Sequence, residues 1–332
     1  MIPLRFAVIG VGAWGQRHAA TLAAIAAQTG LVRLVALADP DEARRNAQAA
    51  SLGVRVYGTW QHLFENEDLD AACVCTPDQH HVEVTLAGLA RGLHLLVEKP
   101  LALAASDAAR LASAARAANR VVTVGHILRF VPQYRAAREA VEDGRLGDLI
   151  HLIARRYSLV TSGERIAGRA SLAMFQAIHD LDMLRWLGGP VTRVYAEASA
   201  RLLRRFGVAD TVCATLRFAS GAVGALECSW ALPRESPALL EQELDIVGSA
   251  GRVHLRSSDE GLAITADGAY RTPHLSLLGA TPDALRAELL SFIEAIRGGS
   301  PPAVDVDDAV EAVRLAEAVD RSLLTDQPVD LT

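Results

Sequence analysis

Apolar residues in the first 125 positions fall into short β-prone runs separated by longer stretches with helical character. The runs are Phe6 to Gly10, Val32 to Ala38, Ala71 to Cys75, His94 to Glu98, and Val121 to Gly125. The helical stretches include Gln16 to Thr29, His81 to Gly92, and Ser106 to Asn119. This alternation is typical of a parallel, doubly wound sheet with helices on both faces. We therefore predict an α/β domain over residues 1–125.

The pattern changes after Gly125. Helices are predicted from Pro132 to Glu142 and from Ala173 to Trp186. The β-prone runs of this part are Ile150 to Tyr157, Val191 to Ala200, Asp210 to Phe218, Ala222 to Trp230, Glu243 to Gly248, Arg252 to Arg256, and Leu262 to Thr265. Strands at such short spacing predict a mostly antiparallel open sheet. We therefore predict a second, α+β domain over residues 126–332, whose C-terminal helix is able to pack back on the first domain.

Composition narrows the classes of function. The chain has 332 residues, of which 51% are hydrophobic, and a formal net charge of −6. Without an excess of basic residues we expect no nucleic-acid partner, and without an apolar run of membrane-spanning length we expect no membrane contact. The first residues lack the pattern of a signal peptide. The four cysteines fit no zinc spacing, so we expect free thiols in a cytoplasmic protein.

A glycine-rich turn follows the first strand directly. It reads Gly10-Val11-Gly12-Ala13-Trp14-Gly15 and opens a helix-prone stretch. In a dinucleotide-binding turn of this form, Gly10 permits the tight turn, Gly12 lets the backbone approach a pyrophosphate, and Gly15 allows close helix packing. The N–H groups at the helix start then hold the phosphates. Strand, turn and helix together predict a dinucleotide site.

The second predicted strand ends at Asp39. An acidic side chain at this point can accept hydrogen bonds from both ribose hydroxyls and repels a 2′-phosphate. Pro40 and Asp41 follow, with no adjacent arginine or serine to cradle that phosphate. The sequence therefore favours NAD, while Arg44 and Arg45, which are able to reach a 2′-phosphate from the next helix, keep NADP open.

Lysine occurs once in this chain, as Lys99, among 33 basic residues. Guanidinium stays protonated, whereas an ammonium group is a compact charge that can lose its proton when it is desolvated. Lys99 lies in Glu98-Lys99-Pro100, directly after a predicted strand, and Thr76-Pro77 follows another. Because ligands of parallel sheets bind outside the carboxyl ends of the strands, the topology places Lys99 at the mouth of the cofactor site.

Several short motifs together resemble the Gfo/Idh/MocA family, which includes glucose-fructose oxidoreductase and inositol dehydrogenase. The matching segments, in the order of that family, are Gly10 to Gly15, Thr76 to His81, Glu98 to Pro100, Gly125 to Phe130, Gly144 to Gly147, His179 to Asp182, and Arg185 to Gly188. They cover the first 190 residues, and Glu-Lys-Pro after a strand is specific. The resemblance implies an NAD-dependent dehydrogenase that acts on CH–OH groups.

The resemblance also assigns roles to particular residues. It places Lys99 and His179 in the active site, and it implies that the bond before Pro100 is often cis. The residues expected at the cofactor are Gly10, Gly12, Ala13, Trp14, Gly15, Asp39, Thr76, Pro77, His81, Glu98, Lys99 and Pro100. The residues expected at the substrate are Arg129, His126, Arg156, Phe175 and Asp182.

The residues themselves leave alternatives open for several of these roles. Arg129 suits a surface ion pair equally well, and His126 suits packing at the hinge between the domains. His81 has a simpler use in capping a helix start, and His80 is able to exchange roles with it. Arg155 and Arg156 are adjacent on a strand, so one of them points inward, and the sequence does not say which.

The chemistry of alcohol oxidation agrees with the roles of Lys99 and His179. A secondary alcohol loses its hydroxyl proton as it is oxidised, and imidazole titrates near working pH. Asp182 lies three residues after His179 and therefore on the same side of a helix. Lys99 would hydrogen-bond the same oxygen and stabilise its developing negative charge. Since these two side chains supply the acid–base and electrostatic functions, we expect no metal.

One position departs from the family pattern. Inositol dehydrogenases of the family carry an aspartate four residues before this histidine, and this chain has Phe175 there. An apolar ring neither orients an imidazole nor accepts a hydrogen bond from a substrate. Three explanations remain open: Asp180 or Asp182 substitutes, the substrate differs, or the chemistry is impaired.

The leading hypothesis is an NAD-dependent oxidoreductase that transfers hydride between nicotinamide and a secondary hydroxyl of a sugar or cyclitol. One alternative is a catalytically silent NAD-binding sensor or regulatory protein, and another is a nucleotide-sugar dehydrogenase of the same family. The family also implies a homodimer or homotetramer formed through the C-terminal sheet, whose free face, if it is apolar, must be covered.

Overall fold

The computed structural model describes residues 1–256, 261–266, 269–271 and 281–331. The chain divides into two compact units. The first comprises Met1–Ile127 and Pro282–Val310, and the second comprises Leu128–Thr281 and Glu311–Thr332.

The first unit contains a doubly wound parallel sheet. Its strands are β1 (Leu4–Ile9), β2 (Val32–Ala38), β3 (Arg55–Tyr57), β4 (Ala71–Val74), β5 (His94–Val97) and β6 (Val122–Val124). The helices between them are α1 (Ala13–Thr29), α2 (Glu42–Leu52), α3 (Trp60–Asn66), α4 (His81–Ala90) and α5 (Ala105–Ala118). The strand order is β3-β2-β1-β4-β5-β6, and every pair is parallel. The Rossmann topology predicted from the apolar runs is thus confirmed.

The second unit is built on a mostly antiparallel sheet, as predicted. Its elements before the C-terminal helices are α6 (Pro132–Glu142), β7 (Leu149–Leu159), α7 (Val160–Ile166), a π-helical turn (Ala173–Ala177), α8 (Ile178–Gly188), β8 (Val191–Ser199), β9 (Thr211–Phe218), β10 (Val223–Leu232), β11 (Leu240–Gly248), β12 (Gly251–Arg256), β13 (Gly261–Ala266) and β14 (Ala269–Arg271). The chain ends with α9 (Thr281–Ile296), α10 (Val306–Thr325) and β15 (Val329–Asp330). The described strands are ordered β14-β13-β12-β11-β7-β10-β9-β8-β15, and the pair β7–β10 is parallel.

Helix α9 completes the core of the first unit, although it comes more than 150 residues after that unit's last strand. Its buried residues Leu289 and Phe292 pack with Phe6 and Val8 of β1. The rings of Phe6 and Phe292 meet edge-on, with centroids 5.9 Å apart. Burying side chains of this size typically stabilises a fold by about 1.5–3 kcal/mol each, so α9 belongs to the framework that holds the parallel sheet.

Strand β7 separates two faces of the second sheet. Its alternate residues Leu152, Ala154 and Arg156 are buried, while Arg155 and Tyr157 are half-buried on the other face. There Arg155 forms ion pairs with carboxylates of the neighbouring strands, Glu243 at 2.9 Å and Glu227 at 3.5 Å. Arg256 also reaches Glu243 at 3.2 Å. This part of the face is therefore polar and paired within the chain, not apolar.

Two further expectations from composition concern the cysteines and the membrane. Cys73, Cys75, Cys213 and Cys228 are free thiols, as predicted. Burial raises the pKa of the Cys73 and Cys75 thiols well above the ordinary value, so both stay protonated. Among the helices that the structure describes, none combines the length and the apolar composition that crossing a bilayer requires.

Candidate active site

The glycine-rich turn between β1 and α1 has the geometry of a phosphate cradle. Gly10 adopts a positive φ of 85°, and a Cβ on it would lie 2.6 Å from the carbonyl oxygen of Cys75. A Cβ on Gly15 would lie 1.8 Å from the carbonyl oxygen of Gly10, so the helix packs directly on the turn. A Cβ on Gly12 would meet nothing within 4 Å. Space for an anion thus opens at the start of α1, where backbone N–H groups have no partner within the helix.

A cavity of about 350 Å³ lies beside this turn, at the carboxyl ends of β1, β2 and β4. It is lined by Ile9, Gly10, Ala38, Asp39, Pro40, Arg44, Gly58, Thr59, Trp60, Gln61, Thr76, Pro77 and His80. Four of the residues predicted to contact the cofactor are among them: Gly10, Asp39, Thr76 and Pro77. The volume suits a small-molecule group such as a nucleoside. The residues present therefore fit a dinucleotide.

Asp39 is a fixed acceptor in this cavity. Its carboxylate accepts hydrogen bonds from the backbone N–H of Val11 at 2.8 Å and of Asp41 at 2.9 Å. Arg44 donates to both of its oxygens at 3.4 Å. The side chain of Asp39 is only 4% exposed, so its charge is held in place at the end of β2. Arg45 donates to the backbone carbonyls of Asp39 and Pro40.

His81 lies between the turns that follow β4 and β5. Its Nδ1 lies 2.7 Å from the carbonyl oxygen of Pro100, and its Nε2 lies 3.0 Å from that of Thr76. The Lys99–Pro100 peptide bond is cis, and Lys99 is half-buried. His81 itself is 1% exposed and does not line the cavity, whereas the neighbouring His80 is exposed and does.

Glu98 points back into the first unit. Its carboxylate accepts a 2.8 Å hydrogen bond from Nε2 of His18, a fully buried residue of α1, and a 3.3 Å bond from the backbone N–H of Lys99. Burial raises the pKa of the Glu98 carboxyl, but the hydrogen bond and charge of His18 and the charge of Lys99 outweigh burial and hold it below the ordinary value. A Cβ on Gly125 would lie 3.0 Å from this carboxylate, so a larger residue there would crowd the Glu98 side chain.

The helix that carries His179 is anchored by polar side chains on both sides of that residue. Gln176 accepts a hydrogen bond from Ser158 of β7 at 2.6 Å and donates to the carbonyl of Ser229 of β10 at 3.1 Å. These contacts hold the π-helical turn that directly precedes α8. Such turns inside helices are frequently found at functional sites, because they change the direction of the side chains that follow.

Two buried ion pairs follow His179 on the same helix. Arg156 of β7 donates to Asp180 at 2.6 and 2.9 Å, and Arg129 donates to Asp182 at 2.5 and 3.0 Å. All four side chains are at most 4% exposed. The inward arginine of the pair left open by the sequence is therefore Arg156. Both ion pairs lie within the second unit.

Phe175 lies two residues into the π-helical turn. It is half-buried, and its ring faces Trp230 at a centroid distance of 6.4 Å and an interplanar angle of 53°. Trp230 is fully buried, and its indole N–H has no hydrogen-bond partner among the described residues. A Cβ on Gly163 would lie 2.8 Å from this indole, so α7 packs against it. Phe175, which stands where inositol dehydrogenases of the family have aspartate, therefore packs beside a second aromatic side chain.

The structure thus groups the predicted site residues by unit. The first unit carries the residues expected at the cofactor together with Lys99 and His126, which is 1% exposed and follows β6. The second carries His179, Phe175 and the two arginine–aspartate pairs.

The sequence did not reveal three contributions to these sites. The segment Gly58–Gln61, which lines the cavity, follows a strand of only three residues. The sequence did contain one signal for the helix that follows, because threonine is a common N-cap residue. In the structure, Thr59 caps α3 by accepting a hydrogen bond from the backbone N–H of His62. His18 and Gln176 lie in helical segments, and the neighbouring sequence does not indicate that either polar side chain is buried and hydrogen-bonded to another element.

Comparison with known proteins agrees with this architecture. Residues 4–126 match the model of the Gfo/Idh/MocA oxidoreductase family with its NAD-binding Rossmann fold, and residues 134–254 match the Gfo/Idh/MocA C-terminal domain. A myo-inositol 2-dehydrogenase from Thermotoga maritima is 30% identical over 99% of this chain and 98% of its own length. An inositol 2-dehydrogenase from Rhizobium meliloti is also 30% identical, over 99% of both chains.

Solved structures show the same likeness. The crystal structure of myo-inositol 2-dehydrogenase from Lactobacillus plantarum superimposes with a TM-score of 0.86, at 26% identity, and covers 99% of this chain and all of its own. The two domain models and the two full-length relatives show that this chain belongs to the Gfo/Idh/MocA oxidoreductase family, with the NAD-binding Rossmann fold of that family as its first domain.

Proposed function

We propose that this protein oxidises a secondary hydroxyl of a sugar or cyclitol with NAD, using Lys99 and His179. The observation that carries this proposal is the cofactor half of the site. An open phosphate cradle at Gly12 and a cavity containing Asp39 lie in the same unit as the only lysine, which directly follows β5. The names of the relatives, which are inositol 2-dehydrogenases, support a cyclitol or a related polyol as substrate.

In this proposal NAD, when bound, supplies the acceptor for hydride. The ammonium of Lys99 hydrogen-bonds the reacting hydroxyl oxygen and stabilises the negative charge that develops on it. The imidazole of His179 accepts the hydroxyl proton, because imidazole as a chemical group takes up and releases protons near neutral pH. Asp39 accepts hydrogen bonds from the ribose hydroxyls, and its charge disfavours a 2′-phosphate.

The two buried ion pairs indicate whether Asp180 or Asp182 can replace the aspartate that inositol dehydrogenases of this family carry at the position of Phe175. Asp180 and Asp182 each hold a buried arginine through two hydrogen bonds. Withdrawing either carboxylate to assist His179 would break a buried ion pair, which typically costs about 3–5 kcal/mol. We therefore infer that the substrate differs from that of the inositol dehydrogenases, and that Phe175 meets an apolar edge of it.

The proposal is tested by measuring NADH formation with the purified protein, NAD, and a panel of inositols, aldoses, deoxy sugars, sugar acids and nucleotide-linked sugars. Turnover of one class that disappears in His179→Ala supports it. Tight NADH binding without turnover of any member, nucleotide-linked sugars included, contradicts it.

A silent NAD-binding sensor is the second candidate, and Phe175 is the observation that favours it, because an apolar ring assists no proton transfer. The sensor hypothesis predicts that NADH binding changes the protein's affinity for a partner while no alcohol is oxidised. A nucleotide-sugar substrate is recognised in the same panel, by turnover that requires the nucleotide.

We also propose assembly into a homodimer or homotetramer through the face of the second sheet that carries Arg155 and Tyr157. Half-burial of these strand residues, with their charges already paired along the sheet, suits contact with a second copy. Light scattering after gel filtration tests the assembly, and a monomer at micromolar concentration contradicts it.

A further inference from the structure

Two adjacent histidines at the start of α4 have different surroundings. His80 is exposed and lines the cavity beside the glycine-rich turn. His81 is buried and lies between two backbone carbonyls, one in the turn after β4 and one in the turn after β5. The second of these belongs to Pro100, the residue directly after Lys99. One imidazole thus lies between a cofactor-lining turn and the turn that bears the only lysine.

The protonation state of His81 decides whether it can donate to one carbonyl or to both. Burial lowers the pKa of His81, against the opposing effect of its carbonyl partners and of the charges of Glu98 and Asp78, so the imidazole is neutral near pH 7. A neutral imidazole has one N–H and can donate to only one of the two oxygens. The shorter contact, 2.7 Å from Nδ1 to Pro100, is where that donor forms the stronger hydrogen bond.

We propose that His81 is a positioning residue, whose Nδ1–H holds the carbonyl of Pro100 and thereby fixes the Lys99 turn, while contact with the cofactor at the start of α4 belongs to His80. The effect on turnover rests on the proposed dehydrogenase function; the effect on the position of Lys99 does not. Misplacing a reacting group by about 1 Å can lower a rate on the order of 100-fold, so a hydrogen bond behind Lys99 matters to catalysis without touching substrate.

Two amide substitutions separate the two carbonyl contacts. The side-chain N–H of asparagine occupies the place of imidazole Nδ1, so His81→Asn retains the donor to Pro100. The longer side chain of glutamine places its N–H near imidazole Nε2, so His81→Gln retains only the contact with Thr76. Both variants carry the same functional group, and each is assayed at a temperature where circular dichroism shows it folded. If His81→Gln does not fold, His81→Ser replaces it, since a serine hydroxyl is too short to reach Pro100.

The kinetic test separates kcat from KM. We expect His81→Gln to lower kcat by about tenfold or more with little change in the KM for NAD, and His81→Asn to restore most of the lost turnover. His80→Ala, in contrast, is expected to raise the KM for NAD. Equal loss in the asparagine and glutamine variants, or a loss confined to the KM for NAD, overturns the proposal.

A second readout needs no substrate. Because Lys99 is the only lysine, reductive methylation with 13C-formaldehyde gives one lysine signal beside that of the terminal amine. With NADH bound, His81→Gln should shift this signal and His81→Asn should return it to the wild-type position. A signal that stays in place in both variants overturns the proposal. If the signal behaves as expected but no alcohol is oxidised, His81 does position the turn, and the dehydrogenase function is what fails.

Discussion

Arg129 and Asp182 form a buried ion pair across 53 residues of sequence, with hydrogen bonds of 2.5 and 3.0 Å between guanidinium and carboxylate. Both side chains are at most 2% exposed. The guanidinium of Arg129 also lies over the ring of Trp186, 5.5 Å from its centroid. Two residues expected to bind substrate therefore form an ion pair with each other, and one of them, Asp182, lies three residues after His179.

Removing one partner of this ion pair should destabilise the protein strongly. Arg129→Met removes the guanidinium that the buried Asp182 carboxylate binds through two hydrogen bonds, and the free energy of unfolding should fall by about 3–5 kcal/mol. The double variant Arg129→Met/Asp182→Leu should recover much of that loss, because no isolated charge remains. Urea unfolding measures both variants. A loss below about 1 kcal/mol in the single variant, as is typical of surface ion pairs, would show that the pair is not buried in solution.

Asp39 should make the protein prefer NADH to NADPH. A 2′-phosphate close to this fixed carboxylate is repelled, and like-charge contact of this kind costs several kcal/mol, or about 100-fold in affinity. Asp39→Asn keeps a side-chain oxygen as acceptor and removes the charge. This variant should therefore show a smaller difference between its affinities for NADH and NADPH. Fluorescence titration with both nucleotides checks this. Equal affinity of the wild-type protein for NADH and NADPH contradicts it, and would point to Arg44 as the residue that neutralises Asp39.

Glu288 should make stability depend on pH. Its carboxyl is buried with no hydrogen-bond partner among the described residues, and burial, with the nearby charge of Glu98, raises its pKa well above 4.5. An acid whose folded pKa is raised contributes stability that is present below its unfolded pKa and is lost as pH rises toward the folded value. Glu288→Gln cannot ionise at this position. The thermal midpoint of the variant, measured relative to that of the wild type, should therefore rise as the pH is raised from about 5 to 8. If the difference between the two thermal midpoints stayed constant across that range, Glu288 would not be the source of the pH dependence.

Phe175 should make the enzyme prefer substrates that present an apolar edge, such as deoxy sugars, over fully hydroxylated ones. Phe175→Asp provides an acceptor for a hydroxyl, and should move the ratio of kcat/KM for myo-inositol over a deoxy analogue by about tenfold or more toward the inositol. Phe175→Leu, which stays apolar, serves as the matched control and should leave the ratio near that of the wild type. An unchanged ratio in the aspartate variant means that position 175 does not meet the substrate.

The parallel sheet was predictable because its determinants are local. Each buried strand is a short apolar run bounded by polar or glycine residues, and Gly10, Gly12 and Gly15 are read directly from their spacing. β3 was missed because three residues, Arg55–Tyr57, are too few for a periodic pattern. The contribution of α9 to the same core was also not predictable, since pairing of Phe292 with Phe6 depends on a contact between distant parts of the chain.

The site of the second unit was predictable only in part. Residues Ala173 to Trp186 were predicted as one helix, but the structure forms a π-helical turn before α8. Its cause is tertiary, because Gln176 bonds to two strands of the sheet. The same holds for Arg129 and Asp182, since sequence shows an arginine and an aspartate but not which charges meet.

The most direct test of the central claim compares turnover and NADH affinity in the wild type, Lys99→Arg and His179→Ala, with the best alcohol of the panel at saturating NAD. The account predicts that both variants bind NADH within about threefold of the wild type but lose turnover by about 100-fold or more, since each loses one group that acts on the reacting hydroxyl. Wild-type turnover in Lys99→Arg would contradict it, because arginine would then serve as well as the one lysine of this chain.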